Sequence, residues 1–213
     1  MHATPQGEEA DHPLQGTKLK IAEAALETLK AKGFNGASAR EIAAQGAFNQ
    51  ALIFYHFGSV EKLLLAALEL VSRRRMRAYR GPFEEAASLP ALAALGRRIY
   101  EEDRANGYVI VLGELVTAGA SRPQLGGGVA ACLEPWLEMV ERKVKGLIAG
   151  SPLEAIVPPR DAAFAIIALY LGIDMLSHLE GNDARAQSVF DRGTHLATLM
   201  AALLPSQQRG RDG

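Results

Sequence analysis

Apolar residues recur along this chain at three- and four-residue spacing for most of its length, the pattern of amphipathic helices packed around a core. No run alternates apolar and polar residues between Asn-Gly or Asp-Gly turns, so no hairpin is expected. A first helix is predicted over 17–32, with Ile21, Ala22, Ala25, Leu26 and Leu29 on one face. Gly33 then stands where a helix ends in a left-handed residue, and Phe34 can fold back onto that end. Ser38 and Glu41 have the spacing of a capping box, Ser38 accepting near Glu41 and Glu41 reaching back to the amide of Ser38. The helix they open carries Ile42, Ala43 and Ala44 and stops at Gly46. Asn49 can cap a third short helix. Gly58-Ser59 interrupts the chain again, and Ser59 can cap a long helix through Leu63, Leu64, Ala67, Leu68 and Val71 that ends near Arg80, before Gly81-Pro82.

Five more helices are predicted over 89–105, 108–118, 124–149, 160–180 and 184–204. Asn106-Gly107, Arg122-Pro123, the segment 150–159 and Gly181-Asn182 separate them. Residues 108–112 read YVIVL, the β-branched density of a buried strand. A helix is expected there because nothing else in the chain offers that strand a partner. The expected fold is all-α, with about nine helices. A three-helix helix-turn-helix domain with its connecting helix spans 14–80, and a regulatory and dimerisation domain spans 81–205. Residues 1–13 read as a disordered arm and 206–213 as a frayed tail.

Charge distribution sharpens this division. The formal net charge is only −1, yet residues 14–80 hold 11 Lys and Arg against 5 Asp and Glu. A basic N-terminal third on a near-neutral chain is expected of a nucleic-acid module joined to another domain. Cys132 is the single cysteine, which excludes an intrachain disulfide framework or a cysteine-based metal cluster and fits a reducing cytoplasm. The first residues have no apolar core, so no signal peptide is expected. The apolar stretch 162–173 is too short for a membrane span, so no membrane partner is expected.

Two short helices joined by a tight turn between longer helices form a helix-turn-helix layout. Residues 38–57 read SAREIAAQGAFNQALIFYHF. Amide side chains such as Asn49 and Gln50, near the start of the second helix, can pair with adenine in the major groove. Tyr55 and His56 can bond phosphate oxygens from its far end. The same residues could instead make a plain three-helix bundle with Tyr55 and His56 as packing residues, but cap, helix length, turn and aromatic pair occur together.

The stretch from about Thr17 to Leu65 resembles the N-terminal domain of TetR-family regulators, most specifically in ALIFYHFGSVEKLL, residues 51–64. The resemblance implies an all-helical homodimer with a small-molecule pocket in the C-terminal domain and ligand binding that releases DNA. It also implies that Arg40 contacts DNA from the second helix, that Gln50, Ala51 and Phe54 face bases, and that Ser38, Tyr55 and His56 hold phosphates. The chain departs from the family pattern twice. Relatives commonly have Ala-Gly at the turn, with glycine left-handed, where this chain has Gly46-Ala47. Either Ala47 adopts that conformation at a cost of about 1–2 kcal/mol or the turn begins one residue earlier. Relatives also commonly place a phosphate-holding lysine at the position of Val60; Lys62 can replace it only in part, since it lies two residues further along and points elsewhere.

The remaining features are weighed against simpler roles. Arg73, Arg74, Arg75, Arg77 and Arg80 read as cations solvating a helix face and complementing its C-terminus, rather than as a phosphate clamp. Gly126-Gly127-Gly128 lacks the strand and the Lys-Ser/Thr of a phosphate loop and reads as a flexible helix start. The chain has no His-Glu-x-x-His, no Cys/His cluster and no Gly-x-Ser-x-Gly, so no metal, cofactor or enzymatic activity is expected.

Residues 162–179 are apolar nearly all round, and the last helix is apolar on two stripes, so both need cover beyond their own domain. A second copy is the simplest cover, with Ile166, Leu169, Tyr170, Ile173, Leu196, Leu199 and Leu203 at the interface. Tyr108, Glu114, Cys132, Trp136 and Met139 are candidates for an apolar effector pocket, each against a plain core role. Glu114 can instead pair with Arg97 or Arg98, and Asp174 with His178.

The reading that unites these features is a cytoplasmic, sequence-specific regulator, a repressor that holds a palindromic duplex as a homodimer and is released by a small molecule. The alternatives are a helical small-molecule-binding protein or enzyme that has lost DNA binding, and a structural interaction protein.

Overall fold

A computed structural model describes residues 14–180 and 184–202. The expected arm, the expected tail and Leu203 lie outside the described residues. Nine α-helices and a short 3-10 turn, and no strand, are formed among the described residues. They are α1 (Gly16–Gly36), α2 (Ala39–Gly46), α3 (Ala51–Phe57), α4 (Val60–Glu85), α5 (Leu89–Ala105), α6 (Tyr108–Gly119), α7 (Pro123–Ile148), α8 (Pro159–Glu180) and α9 (Ala184–Ala201). The YVIVL segment opens α6, as its lack of a strand partner requires.

The chain forms two compact units that divide between Arg73 and Arg74, inside α4, where the sequence reading sets the boundary after residue 80. Tyr79, Phe83 and Ala86 are buried in the core of the second unit, which explains why the last turns of α4 belong there. The same burial carries α4 past Gly81-Pro82 to Glu85 instead of ending it near Arg80. Proline lacks the amide donor but can still accept, and Ala86 N–H donates to Pro82 O at 3.1 Å.

The first unit packs α1 against α2. Ile21, Ala22, Ala25 and Leu29 of α1 are fully buried, together with Ile42 of α2, Ile53 of α3 and Leu63 and Ala67 of α4. Burying Ile42 and Ile53 against α1 and α4 fixes α2 and α3, which are too short to be stable alone. Gly33 (φ 66°, ψ −178°) breaks α1 and lets its last residues turn aside.

In the second unit α5 packs on α9, α7 on α8 and α6 on α7. Its main core joins Tyr79 and Phe83 with Leu95, Ile99, Val140, Val144, Ile148 and Ala163. The α6–α7 turn is tight enough to need glycine. A Cβ on Gly119 would lie 2.9 Å from Cα of Gly126, and one on Gly126 would lie 2.8 Å from the Gly119 carbonyl oxygen. Gly126 is therefore a packing residue and not only a flexible start.

Candidate nucleic-acid interface

The helix-turn-helix is set by its caps. Ser38 Oγ accepts from Glu41 N–H at 3.3 Å and starts α2. The reciprocal half of the expected capping box is not made. The Glu41 carboxylate takes the Lys32 ammonium instead, and that bond holds the Glu41 carboxyl below its ordinary range. Lys32 lies in the last turns of α1, so the pair ties α1 to the start of α2. Ser38 N–H is not left over, because it donates to Gly36 O at 3.0 Å.

The turn between α2 and α3 resolves the Gly46-Ala47 question. Ala47 is left-handed (φ 52°, ψ 52°), the only non-glycine residue with positive φ among the described residues. Gly46 serves a different need, since a Cβ there would enter the Phe48 ring and come within 2.9 Å of Ala24 Cβ. Glycine stands where Phe48 packs over α2, and alanine carries the strained dihedrals. Asn49 Oδ1 then accepts from Ala51 N–H at 2.8 Å, and Asn49 O from Leu52 N–H at 3.0 Å, so Asn49 does initiate α3.

Seven residues make α3, and only Ile53 is buried. Asn49, Gln50 and Ala51 are exposed at its start. Phe54 is 51% exposed and Tyr55 82%, large aromatic surfaces left facing water. His56 is half-buried, its ring edge-on to Tyr55 at 4.8 Å. Ser38, Arg40 and Lys62 are exposed. Ser59 Oγ caps α4 by accepting from Lys62 N–H at 3.1 Å, and Val60 is half-buried. A short helix that buries one side chain and presents amides, aromatic faces and hydroxyl donors on its free surface can enter a major groove and bond bases and phosphates.

In the second unit all five pocket candidates, Tyr108, Glu114, Cys132, Trp136 and Met139, are half-buried. They do not share one described cavity. A cavity of about 370 Å³ lies between α5 and α9, lined by Tyr100, Arg104, Ala186, Gln187 and Phe190, and none of the five lines it. Arg97 is engaged by Glu101 at 2.8 Å and Asp191 at 2.5 Å, and Arg98 faces Glu102, so both have carboxylate partners other than Glu114.

The interface candidates separate into two groups. Ile166, Leu169, Leu196 and Leu199 are exposed, and so are Phe164, Met175 and Leu176 of α8. Ile173 belongs instead to the interior, and Tyr170 is half-buried with its hydroxyl turned inward. Ile173 is 7% exposed beside Tyr100 and Ala186, and the Tyr170 hydroxyl donates to Asp103. Helical spacing alone does not tell the two sides of an all-apolar helix apart.

Sequence reasoning missed a buried polar cluster. Asp103 is 1% exposed and accepts from the Arg75 guanidinium and the Tyr170 hydroxyl on the same oxygen, Oδ2. Tyr79 donates to Glu102. The Arg75 guanidinium lies 5.0 Å from the Trp136 ring and 5.9 Å from the Tyr79 ring. Burial pushes the Asp103 carboxyl above its ordinary range, against the pull of Arg75 and Tyr170. Arg75 thus departs from the solvated role expected of its arginine run. The missed signal is periodic: Leu95, Ile99 and Asp103 share one stripe of α5, and Val71, Arg75 and Tyr79 one stripe of α4.

Comparison with known proteins bears on both units. Residues 21–67 match the family model of bacterial regulatory proteins, tetR family. A search of curated proteins found no match. Among solved structures, FadR from Bacillus subtilis in complex with stearoyl-CoA superposes with a TM-score of 0.70 at 16% identity, covering 84% of this chain and 96% of that one. GusR of Salmonella enterica gives 0.69 at 20% identity over 91% and 99%. A TetR-family regulator described as putative, from Rhodococcus sp., gives 0.70 at 19% over 84% and 97%. At these identities the likeness is one of fold, and it extends through the second unit.

Proposed function

We propose that the chain, whose residues 21–67 match the tetR family of bacterial regulatory proteins, is a TetR-family transcriptional regulator that works as a homodimeric repressor which a small-molecule effector releases from a palindromic operator. The exposed surface of α3 supports this most directly. Gln50, Ala51 and Phe54 face bases, Ser38, Tyr55, His56 and Lys62 hold phosphates, and Arg40 and Asn49 flank them. Water-facing aromatic surface such as that of Phe54 and Tyr55 marks a binding site rather than a stability device.

Dimerisation joins two such heads. The apolar residues Leu169 and Leu199, 54% and 69% exposed, lie on α8 and α9 and form the centre of the interface. Joining two weak half-sites raises affinity through effective concentration. An effector lowers DNA affinity only if it binds the DNA-incompetent arrangement more tightly than the competent one. The apolar surroundings of Trp136 and Met139 in the second unit favour an effector with an apolar body. A bound stearoyl-CoA in the Bacillus subtilis FadR structure is in keeping with that choice.

Selection of the full-length protein against a random duplex pool tests the reading. The expected product is an inverted repeat whose half-sites lie about one helical turn, or a multiple of it, apart. An unenriched pool would favour a helical effector-binding protein without DNA recognition.

A further inference from the structure

Resting on the effector-responsive reading above, we propose that Arg75 recognises a carboxylate on the effector, and that this carboxylate competes with Asp103 for the guanidinium beside Trp136. A guanidinium carries five N–H donors in a planar fork, and its Nε and Nη edge matches the two oxygens of a carboxylate. Arg75 uses that edge incompletely. Its Nη2 meets one oxygen of Asp103, while its Nε is buried with no hydrogen-bond partner. Leaving a buried donor unpaired costs free energy that an incoming acceptor recovers. The aromatic faces of Trp136 and Tyr79 hold the cation in place.

The cluster is also reachable. The Arg75 side chain keeps 16% of its surface in solvent and Trp136 and Met139 are half-buried, while Nε itself is buried, so an acid reaches it only as the side chains around it give way. A molecule with an apolar body can lie against Trp136, Leu137 and Met139 and present its acid to Arg75. Leu137 and Met139, with Trp136, are the partly buried apolar residues that α7 contributes at the edge of the main core.

Asp103 sets the affinity. It faces Arg75 from α4, Glu102 from its own helix and Tyr170 from α8. A second carboxylate at Arg75 adds negative charge beside an already desolvated one, so a charged Asp103 weakens the effector. Neutralising Asp103 therefore strengthens binding.

Trp136 is the only tryptophan in the chain, so its emission reports on this site alone. Octanoate, decanoate and phenylbutyrate are titrated into the full-length protein in parallel with octanol, decanol and phenylbutanol. At least one carboxylate should change the emission saturably and bind about tenfold or more tighter than its alcohol, as expected of one charge-assisted hydrogen bond. Asp103→Asn should tighten the acid several-fold. The Arg75→Gln/Asp103→Asn pair, which leaves no buried charge unmatched, should bind acid and alcohol alike. Three results would each overturn the assignment: no response to any carboxylate, equal affinity for acid and alcohol in the unsubstituted protein, or a preference for acid that survives in the double variant. Operator binding is read separately. A carboxylate that binds at Trp136 without weakening DNA counts against effector control and leaves the Arg75 assignment standing. Release of DNA by neutral compounds only, unaffected by the double variant, does the reverse.

Discussion

The α2–α3 turn gives two substitutions of opposite sign. Ala47 holds φ 52° and ψ 52°, and the left-handed region costs an L-residue about 1–2 kcal/mol. Ala47→Gly removes that cost but frees the unfolded chain, which returns about 0.4–1 kcal/mol. A net stabilisation of about 0.5–1 kcal/mol is expected. Gly46→Ala acts the other way. The new methyl would enter the Phe48 ring and crowd Ala24 Cβ at 2.9 Å, an overpacking that costs about 1–3 kcal/mol. Making both changes, Gly46→Ala and Ala47→Gly, should consequently destabilise this protein, because the Phe48 clash outweighs the relieved dihedral. The two residues are neighbours, so their effects need not add, and the double variant is measured directly. Urea melts followed by far-ultraviolet circular dichroism supply the midpoints for all three variants. A lower midpoint for Ala47→Gly would mean that the turn stores no strain. An unchanged midpoint for Gly46→Ala would mean that Phe48 has room to move and that the glycine is not there for packing.

Leu169→Glu or Leu199→Glu should yield monomers that keep their helical signal, whereas Ile173→Glu, inside the core, should unfold the second unit; intact dimers by light scattering for both leucine variants would remove the proposed interface. Gln50→Ala should lose about 1–3 kcal/mol at one base pair per half-site and relax preference there, while a uniform loss over all sequences would make Gln50 a positioning residue. Val60→Lys should tighten specific and non-specific DNA alike and steepen the log-log salt slope by about 2 units in a dimer; an unchanged slope with a lower melting temperature would identify half-buried Val60 as a packing residue.

Caps and turns were legible in the sequence because each is a local decision. Ser38, Asn49 and Ser59 act on amides two or three residues ahead, and a three-residue reading finds them. The second half of the capping box was not legible for the same reason in reverse. Glu41 has two possible partners, the amide of Ser38 and the ammonium of Lys32, and the second is brought near only when α1 packs on α2. Similarly, α8 reads as apolar on all sides, and the packing of α5 and α9 decides that Ile173 turns inward and Leu169 outward.

The buried polar cluster shows how charge can hide in a pattern read for hydrophobicity. Arg75 sits within a run of arginines, and Asp103 closes the sequence Glu101-Glu102-Asp103, so both look like solvated surface. Their registers say otherwise. Arg75 stands four residues from Val71 and four from Tyr79, and Asp103 four from Ile99, with Val71, Tyr79 and Ile99 all buried. A buried ion pair is seldom a net source of stability, because desolvating both charges offsets most of their attraction. Apolar residues of similar volume would serve the core of the second unit at least as well. The cluster moreover leaves Nε of Arg75 unpaired while Asp103 crowds two donors onto one oxygen. An arrangement evolved for stability alone would pair both groups fully or dispense with both. One that must exchange a partner keeps a donor in reserve, and that difference favours recognition over packing at Arg75.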